Sequence, residues 1–213
     1  LATEILGKYS FGELSYYLIT KRRPTPGQLV MFEVVLASLA DHGFTPTAIA
    51  ARLTYASAPD SLQGALAAGL LGGGSRFLGV TEDCAHFLAR ELKEIGDAPT
   101  TQDGWDAAAL NAVQKQRDIG KFVPGLGHPV HKQGDPRTPV LIAMAREQGL
   151  FGSHLSLFEA IGRVHAQVLG KTLPLNGAGV CGAVLADAGI PMGVMRGVAL
   201  LARCAGLLGH PVE

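Results

Sequence analysis

Two histidines and two arginines in this 213-residue chain stand where they could hold an anionic ligand. His128 closes the glycine-rich stretch Pro124-Gly125-Leu126-Gly127-His128, and glycine lets backbone groups approach a flat ligand because it carries no Cβ. A tight turn between two helices is the structural alternative for these glycines. The favoured use of His128 is as a neutral imidazole that donates or accepts a proton near pH 7.

A metal site is the other use that histidines at short spacing suggest. His128 and His131 stand three residues apart, but the surrounding segment has no cysteine and no second histidine pair with suitable spacing. Such a site would lack ligands. We therefore expect no metal centre.

Arg137 and Arg203 occupy positions at which a cation needs an explanation. Arg137 follows Asp135-Pro136 at the start of a predicted helix, where the helix dipole disfavours positive charge. A carboxylate bound through two hydrogen bonds would explain it, and an exposed arginine is the alternative. Arg203 lies within the apolar run Val198–Leu208, where a charge needs a partner, either a carboxylate of the protein or one of a substrate. His42, at a predicted helix end, is either a ligand-binding residue or a favourable C-terminal residue of that helix.

The elements that must position these residues are helices. Thr25-Pro26-Gly27-Gln28 combines an N-cap, a proline at the first helical position and a capping-box partner. Thr45-Pro46 begins another helix in the same way, and Gly72-Gly73-Gly74 ends a third that carries Leu62, Leu66 and Leu70. Period-2 alternation is nearly absent, so the predicted fold class is all-α. Further helices are predicted over 82–95, 104–118, 137–148, 154–169, 178–188 and 192–209.

Two stretches do not fit a helical pattern, namely 75–79 and 121–136. An irregular segment as long as 121–136 in a compact helical protein is usually functional or disordered. Its apolar beginning, Phe122-Val123, indicates that it packs. We therefore predict a binding loop.

The overall composition is that of a globular protein, with 47% hydrophobic residues and a formal net charge of +0. Zero net charge argues against a general nucleic-acid or membrane-surface binder, so any anionic substrate must meet a local cluster of cations. No secretory segment and no apolar run of membrane-spanning length is recognised. Cys84, Cys181 and Cys204 have no metal-like spacing, and they are expected to be small buried residues in a reducing cytoplasm.

The order of these blocks resembles the citrate synthase superfamily, closest to its citryl-CoA lyases. The resemblance covers roughly 24–213, and the glycine–histidine segment with its Asp-Pro-Arg is the most specific part. It implies a citrate synthase-like fold with a large helical domain (1–79 and 189–213), a small CoA-binding domain (80–188) and a homodimer. The matching blocks are Ala40-Asp41-His42-Gly43, Gly125-Leu126-Gly127-His128-Pro129, Asp135-Pro136-Arg137, and Leu201-Ala202-Arg203 with Gly209-His210.

The same resemblance implies roles for individual residues. The oxaloacetate or citrate group would be held by His42, His128, Arg137 and Arg203. His128 would also polarise the ketone or, in the direction of cleavage, take the hydroxyl proton. Coenzyme A would be a thioester substrate and not a tightly bound cofactor. Its adenine would meet the backbone of Val123, Pro124, Gly125, Leu126 and Gly127, and its phosphates would face Lys132 and Lys171.

Two positions depart from the citrate synthase pattern. A histidine that stabilises the thioester enolate in Gly-Pro-Leu-His-Gly has no counterpart in Gly73-Gly74-Ser75-Arg76-Phe77-Leu78-Gly79. The Arg-Phe pair resembles the citryl-CoA lyase module of ATP citrate lyase, and Arg76 would then stabilise the enolate oxygen. The acid/base aspartate of an Asn-Val-Asp segment falls on Ala178, which has no proton to give or take.

Three functions remain open. The favoured one is a lyase that cleaves citryl-CoA, or a related 3-hydroxy-3-carboxyacyl-CoA, to acetyl-CoA and an oxo acid, with His128, His42 and Arg76 as catalytic residues. A citrate synthase-type acyltransferase is the second, and Ala178 argues against it more strongly because condensation needs a base at the acetyl methyl. The third is a non-catalytic protein that binds coenzyme A or a polycarboxylate.

Overall fold

Helices and the loops that join them form the structure, a computed structural model that describes residues 2–212. Within that range there is no β-strand, and only an isolated antiparallel bridge joins Leu126 to Leu175. The prediction of an all-α fold is confirmed. Short 3₁₀ turns at Met192–Val194 and His210–Val212 flank the last of eleven α-helices in this range: α1 (Phe11–Thr20), α2 (Pro26–Leu39), α3 (Pro46–Ser57), α4 (Leu62–Leu71), α5 (Ser75–Leu78), α6 (Val80–Ile95), α7 (Gln102–Asp118), α8 (Arg137–Glu147), α9 (Ser153–Leu169), α10 (Gly177–Asp187) and α11 (Met195–Gly209).

Local signals in the sequence account for most helix ends. Thr25 and Gln28 form the expected capping box at α2, with reciprocal hydrogen bonds of 3.2 and 2.9 Å. Gly170 ends α9 in the left-handed conformation, with φ +67°. Helices α6 and α7 begin two residues earlier than predicted, and the predicted 192–209 helix divides into a 3₁₀ turn and α11.

Two helices have no counterpart among the predicted ones. Helix α1 begins at an N-cap serine, Ser10, whose side chain accepts a hydrogen bond from the Glu13 amide. It is anchored by Tyr16, which is fully buried, packs edge-on against Phe32 and donates from its hydroxyl to the Ala188 carbonyl at 3.0 Å. Helix α5 is a single turn inside the stretch 75–79, which the sequence pattern did not indicate as helical.

Helix α10 lies at the centre of the molecule and packs against α2, α6, α8 and α9. Eight of its eleven residues are buried. A Cβ at Gly182 would come within 2.2 Å of the Thr81 carbonyl oxygen, so glycine is needed for α6 to approach this closely. The main hydrophobic core runs through residues of both ranges assigned to separate domains, and that division stays a prediction.

One helical stretch, Met192–Gly209, has 18 residues with a mean hydropathy of 1.4, the length and composition of a membrane-spanning helix. This differs from the expectation that no apolar run reaches that length. The stretch carries Arg196 and Arg203, a third of it is buried, and α11 packs on α2, α4 and α6. Because core helices of globular proteins meet the same criteria, it is weak evidence for a membrane span.

Candidate functional site

A cavity of ≈ 1020 Å³ opens where several distant parts of the chain meet. Its wall is formed by the residues after α2, by α5 and the first turn of α6, by parts of 117–137 and 169–178, and by α11. The predicted binding loop and the central helix α10 therefore face the same space. The size is that of a site for a large organic ligand.

The lining of this cavity is strongly cationic. Seven arginine and lysine residues and two histidines border it, and no aspartate or glutamate in the described range does so. Because the chain as a whole carries a net charge of +0, its positive charge is concentrated here. A cleft lined by one sign of charge attracts ligands of the opposite sign. The charged and imidazole residues are Arg76, Arg117, Lys121, Lys132, Arg137, Lys171, Arg203, His42 and His128.

Arg137 is held by a buried carboxylate directly beneath the cavity wall. Asp135 is fully buried and accepts hydrogen bonds from Arg137 Nε at 3.0 Å and Nη2 at 2.7 Å. It also accepts from the backbone amides of Arg137 and Gly177. Burial alone would raise the pKa of Asp135, but these hydrogen bonds hold that pKa well below its usual range. Arg137 also donates from Nη1 to the Ser38 carbonyl, so three of its nitrogens are fixed before any ligand arrives.

Arg203 is buried without a carboxylate partner. It is 6% exposed, and its Nε and Nη2 donate to the Leu39 carbonyl at 3.3 and 3.2 Å. No carboxylate of residues 2–212 lies within 4 Å of its guanidinium. Burial lowers the pKa of Arg203, and the neighbouring Arg137 lowers it further against an opposing effect of Asp41. Of the two partners left open by the sequence, a carboxylate of the protein is not found among residues 2–212.

His128 is fixed in one tautomer by its own loop. Its Nδ1 accepts hydrogen bonds from the backbone amides of Val130 and His131 at 3.1 and 3.0 Å, so the proton of the neutral ring belongs on Nε2. Burial lowers the pKa of His128, with the nearby Asp135 opposing it, and favours that neutral form. Nε2 then offers a donor and not an acceptor. The expected role of His128 as acceptor of a hydroxyl proton does not fit this geometry, whereas polarising a carbonyl oxygen does.

His42 lies in the loop after α2, with its ring centroid 5.9 Å from that of His128 and the two planes at 80°. Its ring forms no hydrogen bond with any residue in the described part of the chain. Burial lowers the pKa of His42, and the cations Arg203 and Arg137 lower it further. The ring is therefore neutral at pH 7 and keeps a lone pair available to the cavity.

Arg76 lines the cavity from the exposed side of α5. This single-turn helix is held at its first residue, because Arg196 of α11 donates to the Ser75 hydroxyl at 3.2 Å and pairs with Glu82 of α6 at 2.8 Å. The positions of Arg76 and the neighbouring Phe77 thus depend on α6 and α11.

The glycine-rich loop is pinned to the residues that precede α10. The Gly127 amide donates to the Pro174 carbonyl at 2.6 Å, the Asn176 amide donates to the Gly125 carbonyl at 2.9 Å, and the Asn176 side chain donates to the Gly127 carbonyl at 2.8 Å. Of the five loop residues predicted to recognise adenine, Val123, Leu126 and Gly127 line the cavity, and Pro124 and Gly125 do not.

Gly125 is required for packing behind the cavity wall. Its φ is +82°, and a Cβ there would lie 2.7 Å from the Phe158 ring and 3.0 Å from Gly179 Cα. Glycine is therefore needed at position 125 for packing, and the expected contact of its backbone with adenine stays a prediction. Lys132 and Lys171, predicted to face phosphates, are exposed and border the cavity.

Several residues of the site were missed by sequence reasoning. Arg117 and Lys121, at and just after the end of α7, add two cations to the wall, and the signal for them was their closeness to the glycine-rich loop. Phe122 was expected to pack, but it is 91% exposed at the cavity border, and only Val123, at 5%, is buried. Ala178, at the second position of α10, also lines the cavity.

Comparison with solved structures shows the same fold in proteins named citryl-CoA lyase and ATP citrate lyase. Citryl-CoA lyase from Hydrogenobacter thermophilus superposes with a TM-score of 0.86 and 31% identity, over 98% of this chain and 77% of that one. ATP citrate lyase from Methanothrix soehngenii, solved in complex with citrate and coenzyme A, superposes with a TM-score of 0.77 and 24% identity, over 95% of this chain and 34% of that one. The second likeness shows the fold alone.

Comparison of sequences finds citrate synthases and ATP-citrate synthases among the relatives of this chain. A citrate synthase from Deinococcus radiodurans is 30% identical over 207 residues, covering 92% of this chain and 50% of that protein. A probable ATP-citrate synthase from Caenorhabditis elegans is 28% identical, over 95% of this chain and 19% of that protein. The chain thus spans half or less of the length of these relatives. The family described as "Citrate synthase, C-terminal domain" matches residues 3–213. The resemblance expected from the sequence blocks is confirmed, and the chain belongs to the citrate synthase family.

Proposed function

We propose that the cavity binds a coenzyme A thioester carrying a polycarboxylate, and that the protein cleaves citryl-CoA, or a related 3-hydroxy-3-carboxyacyl-CoA, to acetyl-CoA and an oxo acid. The observation that carries this proposal is the lining of seven cations without a described carboxylate, in a chain of zero net charge. Such a substrate brings carboxylates at one end and phosphates at the other. The likeness to a protein named citryl-CoA lyase supports the choice of reaction.

The polycarboxylate end of the substrate belongs with the residues around α8 and α11. Among the described residues Arg203 has only a carbonyl partner, so a substrate carboxylate would complete its hydrogen bonding. Arg137 is already oriented by Asp135, so its remaining N–H groups can donate to a substrate carboxylate in a fixed direction. His128 donates from Nε2 to the oxygen that becomes the ketone, which stabilises charge as it develops there.

The coenzyme A end belongs with the cations near the ends of α7 and α9. Arg117 is held by a hydrogen bond to the Val168 carbonyl at 2.8 Å, and it borders the cavity together with Lys121, Lys132 and Lys171. Four cations and an exposed aromatic ring, Phe122, that border the same cavity suit phosphates and a nucleotide base. Arg76 stays the proposed partner of the thioester enolate oxygen.

Cleavage must move a proton, and the residue at position 178 cannot do so. The hydroxyl proton leaves as the carbon–carbon bond breaks, and the resulting enolate takes up a proton to become the acetyl methyl group. A positioned acid or base typically contributes about 10²–10⁴-fold to such a step. With an alanine at position 178, we expect turnover that is slow compared with an enzyme that has a carboxylate there.

Binding without turnover is the second candidate function. It is favoured by the absence of a carboxylate among the described residues of the cavity wall and by the donor tautomer of His128. A condensing acyltransferase is less favoured, because it would need a base at the acetyl methyl beside Ala178.

We also propose the division into a large domain (1–79 and 189–213) and a small one (80–188), and a homodimeric assembly. Exposed apolar side chains on α3 and α4, such as Leu53 at 67% and Leu71 at 87%, are available for contact with a second copy. Sedimentation of the purified protein at several concentrations tests the dimer.

A cytoplasmic location of the protein likewise remains a proposal.

The function is tested by incubating the protein with citryl-CoA and measuring oxaloacetate through a coupled reduction. We expect release above background that is lost in Arg203→Ala, and tight binding of coenzyme A by calorimetry. Binding without release at high protein concentration would exclude the lyase and support the second candidate. Absence of both would exclude each of them.

A further inference from the structure

We propose that His42 is the general base that takes the hydroxyl proton of the substrate. This inference rests on the proposed lyase function. Within it, the same ring returns the proton to the enolate carbon, which is the step that Ala178 cannot perform. It gives the expected catalytic role of His42 a definite chemical step.

The groups around the cavity leave His42 as the available base. No carboxylate of residues 2–212 borders the cavity, and the arginine and lysine side chains offer protons and not lone pairs. Hydroxyl and amide groups, such as those of Thr81 and Asn176, are poor bases. His128 has its Nδ1 occupied by two backbone amides and a proton on Nε2. The His42 ring has no hydrogen-bond partner among residues 2–212.

The geometry of the two rings fits a shared substrate hydroxyl. Their centroids are 5.9 Å apart with the planes at 80°, and both rings border the cavity. A hydroxyl oxygen between them can accept a hydrogen bond from His128 Nε2 while its proton points to His42. Proton transfer needs a heavy-atom distance of about 2.6–3.2 Å, which this spacing allows on each side.

Burial, together with the charges that face His42, lowers the pKa of its ring and keeps it unprotonated before the substrate binds. Arg203 from α11 and Arg137 from α8 oppose a positive charge on the ring, and His128 lies beside it. Asp135 and Asp41 act in the opposite direction but are outweighed by burial and the two arginines, so the pKa of His42 is lowered.

The proton inventory of the reaction then balances without another reactant. His42 takes the proton of the tertiary hydroxyl, the carbon–carbon bond breaks, and the oxygen becomes the ketone of the oxo acid. The electron pair of that bond passes into the thioester enolate. The imidazolium returns the proton to the enolate carbon, which becomes the acetyl methyl group.

The test compares citryl-CoA cleavage by the wild type, by His42→Gln and by His86→Gln between pH 5 and pH 8. His86 is an exposed histidine on α6 that does not border the cavity, so it is the matched control. We expect His42→Gln to lower kcat by about 10²–10⁴-fold with KM nearly unchanged. The wild-type kcat/KM should fall as the pH drops below the ordinary histidine value of about 6.5, and His42→Gln should lack this limb. Added imidazole should partly restore cleavage by His42→Gly.

Other outcomes separate this inference from the proposed function. If the wild type cleaves citryl-CoA and His42→Gln keeps both the rate and the acidic limb, the inference is wrong and the lyase function stands. If His42→Gln raises KM alone, His42 only binds the substrate and the inference is again wrong. If no variant and no wild type releases oxaloacetate while coenzyme A still binds, both fail. Unchanged coenzyme A binding by His42→Gln shows that the variant is folded.

Discussion

Arg137 and Arg203 lie close to each other, but the partners of their guanidinium groups differ. Arg137 is paired with a buried carboxylate, Asp135, through two hydrogen bonds. Arg203 has only the Leu39 carbonyl, and its burial is uncompensated by any carboxylate in the described range. An ion pair with a buried carboxylate and a buried cation with a carbonyl partner therefore lie close to each other. Substitution in the ion pair should lower the stability of the protein, whereas substitution of Arg203 should weaken ligand binding.

Asp135→Asn should strongly destabilise the protein at neutral pH. The substitution leaves the guanidinium of Arg137, whose side chain is 26% exposed, without its partner, and it should cost up to about 3–5 kcal/mol, the range for a fully buried pair. The folded-state pKa of Asp135 lies below the unfolded value of about 3.9, so its contribution is present above that value and is lost as the pH falls. The difference in unfolding free energy between wild type and variant, measured with urea, should thus narrow below about pH 4. The exposed Asp97→Asn is the control, and a difference that stays constant down to pH 3 would contradict this explanation.

Arg203→Met should weaken ligand binding without lowering stability. The methionine keeps an apolar stem in the same space, and removing a buried cation without a carboxylate partner relieves a desolvation cost. Loss of a charge-assisted hydrogen bond of about 1.5–3 kcal/mol should raise the Kd for citrate by about 10–100-fold. Calorimetry with citrate and a thermal melt measure the two effects. A large fall in the melting temperature with unchanged citrate binding would mean that Arg203 is structural.

At the scale of elements, the cavity wall depends on how closely the glycine-rich loop approaches α10. Three hydrogen bonds join Gly125 and Gly127 to Pro174 and Asn176. The approach is possible because Gly125 and Gly179 leave room for each other and for Phe158. The loop is therefore irregular in its dihedral angles but fixed in its position.

Alanine substitutions at the two loop glycines should separate backbone strain from steric clash. Both residues have positive φ, +82° and +91°, so each alanine meets strain of about 1–2 kcal/mol. A Cβ at Gly125 also overlaps Phe158, whereas a Cβ at Gly127 meets nothing within 4 Å. Gly125→Ala should lose about 1–3 kcal/mol more than Gly127→Ala in chemical denaturation. Equal losses would show that the close packing at Gly125 is not limiting.

At the scale of the whole molecule, the arrangement of charge matters more than its sum. Eighteen basic and eighteen acidic side chains cancel, yet seven of the basic ones border one cavity that no described acidic residue reaches. Uneven distribution of this kind steers an anion to one place without making the protein a general polyanion binder. The expectation of a local cationic cluster in a neutral chain is met by the lining of the cavity.

Binding of coenzyme A should therefore depend strongly on salt. Raising KCl from about 0.05 to about 0.5 M shortens the screening length from roughly 14 to roughly 4 Å, and we expect the Kd to rise by about tenfold or more. The double variant Lys132→Gln/Lys171→Gln should bind more weakly at low salt and show a smaller salt dependence. Calorimetry across the salt series measures both, with a thermal melt at each salt to verify the fold. A Kd independent of salt would contradict an electrostatic site.

The sequence alone determined the helical class, most helix ends and the family. These follow from local signals, such as the Thr25–Gln28 capping box and the glycine at position 170, in which the interacting groups lie within a few residues of each other. The order of the histidine and arginine blocks, which carries the family resemblance, can likewise be read directly along the chain. These features require no knowledge of which helices meet.

Only the tertiary structure decided how the charges and protons of the site are arranged. The Leu39 carbonyl that binds Arg203 lies 164 residues away in sequence, and no local pattern predicts such a contact. The same is true of the exposure of Phe122, the packing role of Gly125 and the cavity wall, to which no described aspartate or glutamate contributes. The tautomer of His128 depends on the backbone path of its own loop, and no periodic pattern in the sequence predicts the path of an irregular loop. Long-range packing sets which polar groups lose water and which partners replace it, and that balance decides the chemistry available to each side chain.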